Sequence, residues 1–192
     1  MLSATVKLPD TYSTILRQSK AIQFSMPSDL ETGSLIRSLT ASKPGGIFLD
    51  IGTGTGLSLS WMADGADAEA TIISVDNNEH YQHIARSVFD GDSRVSVINA
   101  DGATWLNSYH GPQFDLIFAD AWPGKFECLD KALSLVKKGG FYLVDDLLPQ
   151  ANWPDGHQPN VDRLMETLQS RTDFVMTTLN WSTGLCLMTK TD

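Results

Sequence analysis

The chain has 192 residues, 42% hydrophobic and 19% charged, a length and balance suited to one α/β domain with a full core. Its formal net charge of -9 repels phosphate backbones, which argues against a nucleic-acid substrate and for a small-molecule one. No apolar run approaches the roughly 18 to 20 residues that span a bilayer, and Met1–Lys7 has no basic stretch leading into an apolar core, so neither membrane association nor a secretory signal is expected and the location is read as cytoplasmic.

Two helices are expected first, over about 11–21 behind Pro9-Asp10 and over about 29–39 with Ser28 as its cap. Pro44-Gly45-Gly46 breaks the second. Short apolar runs then alternate with helical segments: a strand at 46–51, a helix at 57–63, a strand at 71–76, a helix at 79–89, and strands at 95–99 and 114–119. A helix over 126–136 is expected to stop at Lys137-Lys138-Gly139-Gly140, where cations meet the negative helix end and glycine takes the left-handed cap. A fifth strand at 141–144 and a helix at 160–171 follow. The last two strands, 174–179 and 185–189, have no helix between them, and the Gly184-bearing connection is of hairpin length. The alternation predicts a doubly wound, mostly parallel seven-stranded α/β sheet closed by an antiparallel C-terminal hairpin. The organisation expected is one domain over 1–192, with a helical cap segment at 1–44 and the α/β core at 45–192. Cys128 and Cys186 lie far apart without metal-type neighbours and read as free thiols.

The chemistry concentrates at strand ends. Asp50-Ile51-Gly52-Thr53-Gly54-Thr55-Gly56 follows a strand and opens a helix, where glycines admit a ligand close to the backbone. Leu57 stands where a dinucleotide fingerprint would carry its third glycine, and the Asp50 carboxylate suits an ammonium or sulfonium better than a pyrophosphate. Both features argue against an NAD-linked oxidoreductase. Asp76 ends the second strand at the distance of a ribose-binding carboxylate, with a helix cap as the plainer alternative. Asp101-Gly102-Ala103 ends the third, with a simple Asp-Gly turn as its alternative. Asp120 ends the fourth and Asp145-Asp146 the fifth, so all five strands end in an acidic residue at the edge where doubly wound sheets bind ligands.

With these motifs, and with Leu135-Val136-Lys137-Lys138-Gly139-Gly140 and the terminal hairpin, the chain resembles the class I S-adenosylmethionine-dependent methyltransferases, whose fold is Rossmann-like. Met26-Pro27-Ser28, Thr32-Gly33, Asp120-Ala121-Trp122 and Asp145-Asp146 make it most similar to the catechol and caffeoyl-CoA type small-molecule O-methyltransferases. The resemblance implies cofactor binding by Met26, Ser28, Asp50, Gly52, Thr53, Gly54, Gly56, Asp76, Asn77, Asp101, Gly102, Ala103 and Asp120. It also implies Mg²⁺ or Ca²⁺ on Asp120, Asp145 and Asp146, although Asp146 replaces the family's asparagine. Asp145 and Asp146 can share an ion only if the strand has ended and the chain turns there. Asp120 and Lys125 are the candidate catalytic residues, with Pro123 standing where the catechol-type lysine would follow Trp122. Trp122 and Trp153 are candidate walls of the substrate mouth, and His157 is a base candidate by location. The implied activity is methyl transfer to a hydroxyl of a small-molecule acceptor, with a homodimer as the family's frequent assembly. The alternatives are a non-catalytic cofactor-binding partner subunit and a metal-independent enzyme with a nitrogen or other acceptor.

Overall fold

Strand residues that are apolar on both faces can satisfy themselves only inside a sheet covered on each side. The computed structural model describes residues 6–151 and 153–192 and shows such a sheet. Residues 1–5 of the expected cap segment, and Asn152 of the 147–159 loop, lie outside the described residues. β1 (Ile47–Ile51), β2 (Thr71–Asp76), β3 (Val95–Asn99), β4 (Phe114–Ala119) and β5 (Val136–Val144) are parallel to their neighbours among one another. β7 (Leu185–Lys190) runs antiparallel to both β5 and β6 (Phe174–Leu179), giving the order β3-β2-β1-β4-β5-β7-β6. The expected Rossmann-like sheet with its antiparallel hairpin is therefore present. Chain direction through the sheet reverses between β1 and β4, so the crevice at their carboxyl ends is the natural ligand position.

The period of two sorts side chains cleanly. Phe48, Ile72, Leu116, Phe118 and Leu143 face one side, where they pack with α1 (Tyr12–Ala21), α2 (Leu30–Ala41), α3 (Leu57–Gly65) and α4 (Glu79–Val88). Leu49, Ile51, Ile117, Ala119, Tyr142 and Val144 face the other, against α5 (Gly102–Ser108), α6 (Leu129–Ser134) and α7 (Gln158–Gln169).

Three local expectations need correction. Asp29, not Ser28, caps α2, its carboxylate accepting from the Thr32 N–H at 2.8 Å. Asp101 opens a helix, α5, where only a ligand contact or a simple Asp-Gly turn was expected. The helix expected over 126–136 is only α6, and Lys137–Gly140 belongs to β5. There the pairing steps from Phe114↔Val136 to Leu116↔Phe141, so the Lys-Lys-Gly-Gly segment bulges opposite Asp115. Lys137 Nζ donates to Asp115 Oδ2 at 2.6 Å, which ties the lysine to the neighbouring strand instead of to a helix end. Cys128 and Cys186 are free, as expected.

Candidate active site

The bend after β1 depends on backbone that only glycine adopts easily. Gly52 and Gly54 have φ of +110° and +49°. A Cβ on Gly52 would stand 2.5 Å from the Asp120 carbonyl oxygen, and one on Gly54 would stand 2.9 Å from the Phe24 ring. Asp76 clasps the bend from the next strand. Its Oδ2 accepts from the Gly54 N–H and its Oδ1 from the Asn78 N–H, both at 2.8 Å. The α4 cap is Asn78, so Asp76 is not spent on capping and its carboxylate lines the cavity.

Asp50 lies beneath the bend. It pairs in register with Ser74 on β2 and points to the same face, so Ser74 Oγ donates to Asp50 Oδ2 at 2.6 Å. Ser58 of α3 donates to Oδ1 at 3.1 Å. No part of Asp50 is exposed, and burial, opposed by these two hydroxyls, pushes its pKa up to about 7. Thr53 is in the same buried layer, within 2.6 Å of the Ser74 hydroxyl and accepting from Gln82 Nε2 at 3.1 Å. Asp50, Thr53 and Gly56 thus support the bend from below and do not line the cavity. Asp101, Gly102 and Ala103 also stand outside it. Asp101 accepts from the Thr104 N–H and hydroxyl, and Gly102 packs on Pro123.

The carboxylates at the ends of β4 and β5 do converge. Asp120 N–H donates to the Ile51 carbonyl and Asp145 N–H to the Ala119 carbonyl, extending the ladder one residue past the strands and placing both carboxylates on one side. Asp146 then turns with φ of +61°, its N–H donating to Asp145 Oδ1 at 2.7 Å. The chain does leave the strand there, and an aspartate in left-handed conformation makes the turn. Asp145 also accepts from the Thr183 hydroxyl of the β6–β7 hairpin.

Lys125 enters this group from the opposite side. The Pro123-Gly124 turn, with Gly124 at φ +87° and its carbonyl held by the Tyr142 hydroxyl, carries Lys125 back under β4 and β5. The side chain is 6% exposed. Its Nζ donates to the Asp145 carbonyl at 3.1 Å and lies 3.7 Å from Asp120 Oδ1 and 3.9 Å from Asp146 Oδ2. At about 4 Å and an effective dielectric near 20, such a pair is worth roughly 4 kcal/mol before desolvation is subtracted. Burial raises the Asp120 pKa well above the usual carboxylate range, the Lys125 charge opposes this, and Asp145 and Asp146 add to it. Burial likewise pushes Asp145 up to about 6 against the Thr183 hydrogen bond.

The divalent-cation reading of Asp120, Asp145 and Asp146 does not fit this arrangement. Magnesium demands near-octahedral oxygens at about 2.0 to 2.1 Å. Here an ammonium already lies at ion-pair distance from two of the carboxylates, and Asp145 Oδ1 is taken by Thr183 and the Asp146 N–H. Among the described residues no group of three His, Cys, Asp or Glu has the geometry to hold a metal.

One cavity of about 590 Å³ joins the bend to this cluster, within the roughly 300 to 1,000 Å³ of small-molecule sites. Met26, Ser28, Gly52, Gly54, Asp76 and Asn77 line one part, and Asp120, Lys125, Asp145 and Asp146 another. Trp122, Phe126, Trp153 and His157 form an aromatic wall, the His157 ring centroid lying 4.5 Å from Trp153, 5.3 Å from Phe126 and 5.7 Å from Trp122. Among the described residues the buried His157 Nδ1 has no hydrogen-bond partner. Sequence reasoning missed Phe24 and Tyr81, which pack edge to face over the bend, as well as Phe126 and Thr183. The apolar-periodic position of Tyr81 on α4 was the sole available signal. Nothing in sequence placed Thr183 beside Asp145.

A methyltransferase-domain family model matches residues 49–147. A Mycobacterium leprae protein named "Putative O-methyltransferase" is 30% identical over 95 residues, which are 47% of this chain and 42% of that one. The chain spans about half the length of the curated relatives it matches. The structure of an O-methyltransferase from Bacillus cereus in complex with SAH has a TM-score of 0.82 at 20% identity, covering 97% of this chain and 93% of that one. The O-methyltransferase TomG from Streptomyces achromogenes, in complex with SAM, has a TM-score of 0.82 at 22% identity, covering 99% and 93%. At these identities the likeness speaks for the fold.

Proposed function

The chain belongs to the methyltransferase-domain family, and from that footing we propose that it binds S-adenosylmethionine over the Gly52–Gly56 bend and transfers the methyl group to a hydroxyl oxygen of a small molecule. The observation that carries this reading is the single cavity. A ligand on Gly52, Gly54 and Asp76 faces, in the same space, the Asp120–Lys125 pair and the aromatic wall. When bound, S-adenosylmethionine supplies a methyl on cationic sulfur, the carbon–sulfur pair returning to sulfur as the acceptor oxygen takes the methyl.

The chain's own residues do the rest. Gly52 and Gly54 leave room at the backbone that a Cβ would fill. Asp76, whose carboxylate has lone pairs beyond those facing Gly54 and Asn78, accepts from sugar hydroxyls. The acidic rim of Asp120, Asp145 and Asp146 favours a cationic ligand. Asp120, its basicity raised by burial, takes the acceptor's hydroxyl proton and passes it to solvent. Trp122 and Trp153, which line the cavity, offer apolar ring faces for the acceptor to pack against. Alignment of this kind supplies about 7 to 11 kcal/mol of a two-body barrier.

Calorimetry with S-adenosylhomocysteine and with NAD tests the binding half, and labelled methyl transfer over a panel of phenols, catechols and aliphatic alcohols tests the chemistry. Binding of S-adenosylhomocysteine but not NAD, with label in an ether product, is the expected outcome. NAD binding without S-adenosylhomocysteine binding would sink the reading.

A further inference from the structure

We infer that the Lys125 ammonium performs the electrostatic task of a divalent cation in this site, so that the acceptor oxygen is held by a positive charge built into the chain. This deepens the proposed function and rests on it for the identity of the acceptor. Its geometric basis is independent. Three carboxylates converge at the β4 and β5 ends, Asp145 buried, Asp120 mostly so and Asp146 part-exposed, and like charges this close in a partly desolvated site call for a counter-charge. Lys125 supplies one, buried to 6% exposure, with its Nζ at 3.1 Å from the Asp145 carbonyl and within 4 Å of Asp120 and Asp146. Four features aim it there. Gly124 allows the turn, Tyr142 holds that turn's carbonyl, Pro123 packs on Gly102, and the Asp146 turn brings in the third carboxylate. A surface lysine needs none of these supports.

The ammonium has three N–H donors and the Asp145 carbonyl uses one. The remaining donors face the cavity carboxylates, so an acceptor oxygen placed beside Asp120 would also meet Lys125. As the hydroxyl proton leaves to Asp120 and the oxygen–carbon bond forms, the negative charge growing on oxygen is met by the Lys125 ammonium. No outside cation enters this balance.

Removing the ammonium should turn the cluster into a metal site, and this can be read without turnover. Protein stripped with EDTA is titrated with Mn²⁺ and followed by the paramagnetic resonance of the free ion. Wild type should leave the signal unchanged at equimolar Mn²⁺. Lys125→Ala and Lys125→Met should each bind Mn²⁺ about tenfold or more tightly than wild type, since the competing charge is gone. Lys125→Arg, which keeps the charge, should not. Any turnover by wild type should be the same with EDTA as with Mg²⁺. Mn²⁺ uptake by wild type that Asp146→Ala abolishes overturns the inference, as do EDTA-sensitive turnover and folded Lys125→Ala and Lys125→Met proteins with no gain in Mn²⁺ affinity. S-adenosylhomocysteine calorimetry on the same samples reports separately on the cofactor reading.

Discussion

Asp50 meets only hydroxyl donors and has no exposed surface, so its charge is costly in the folded chain and free of cost in the unfolded one. With its folded pKa raised to about 7, the native state holds a proton on Asp50 that the unfolded state has already released. Between about pH 4 and pH 7 the folded form therefore binds more protons, and this group's stabilisation is lost as pH rises through that window. At about 1.4 kcal/mol per pH unit, the full effect is roughly 4 kcal/mol. Asp50→Asn keeps the shape and removes the charge. Urea unfolding at pH 5 and pH 8 should show wild type losing stability relative to Asp50→Asn as pH rises; equal slopes for the two proteins would refute the assignment. The acidic strand ends themselves were legible in sequence, but their division of labour was not. Asp50 reads as a ligand contact until its register partner Ser74 and its face toward α3 are known. Lys125 reads as displaced until the Pro-Gly turn is seen to carry it back to the cluster.

At the scale of elements, α2 and α3 approach through glycine. A Cβ on Gly33 would stand 2.2 Å from Trp61 Nε1, and one on Gly65 would stand 2.4 Å from the Arg37 carbonyl oxygen. Trp61 is wholly buried, with its indole N–H unpartnered among the described residues and the Arg37 guanidinium 5.0 Å above its ring. Thr32-Gly33, one of the motifs that carry the resemblance, thus lies inside a helix–helix contact. Gly33→Ala gains about 1 kcal/mol of helix propensity and incurs overpacking of about 1 to 3 kcal/mol or more. Overpacking wins because Trp61 is wholly buried and the added Cβ would stand far inside van der Waals contact of its ring. Thermal unfolding should fall by several degrees, and a rise in Tm would show that the two helices separate easily. Periodicity located the long, strongly patterned elements well, from β1 through α4 and again from α7 to β7. It failed where local chemistry was ambiguous. Lys137-Lys138-Gly139-Gly140 suits a helix stop and a strand bulge equally, and only the pairing of Val136 with Phe114 and of Lys137 with Asp115 decides between them. Asp101-Gly102 suits a turn or a cap, and the Thr104 hydrogen bonds decide for the cap.

At the scale of the whole molecule, the net charge of -9 and the row of acidic strand ends act together. Asp76, Asp120, Asp145 and Asp146 all face one cavity, inside a chain whose overall field has the same sign. A concave site with low-dielectric walls focuses such a field and draws in cations. S-adenosylmethionine carries one more positive charge than S-adenosylhomocysteine and differs from it otherwise only by the methyl. Salt should therefore weaken the two unequally if the cofactor lies where proposed. The Debye length shrinks from about 30 Å at 0.01 M to about 3 Å at 1 M, so the long-range part of the attraction disappears over that span. Paired calorimetric titrations from low to high NaCl should show the affinity for S-adenosylmethionine falling about threefold or more relative to S-adenosylhomocysteine, as expected for one screened charge in a partly enclosed site. Neutralising a single rim carboxylate by Asp146→Asn, which lies beyond the bend, should reduce that salt-dependent difference while leaving S-adenosylhomocysteine affinity near its wild-type value. A salt response identical for both ligands would mean that the sulfur does not sit within the acidic rim, and the placement of the cofactor along the carboxyl edge would have to be abandoned.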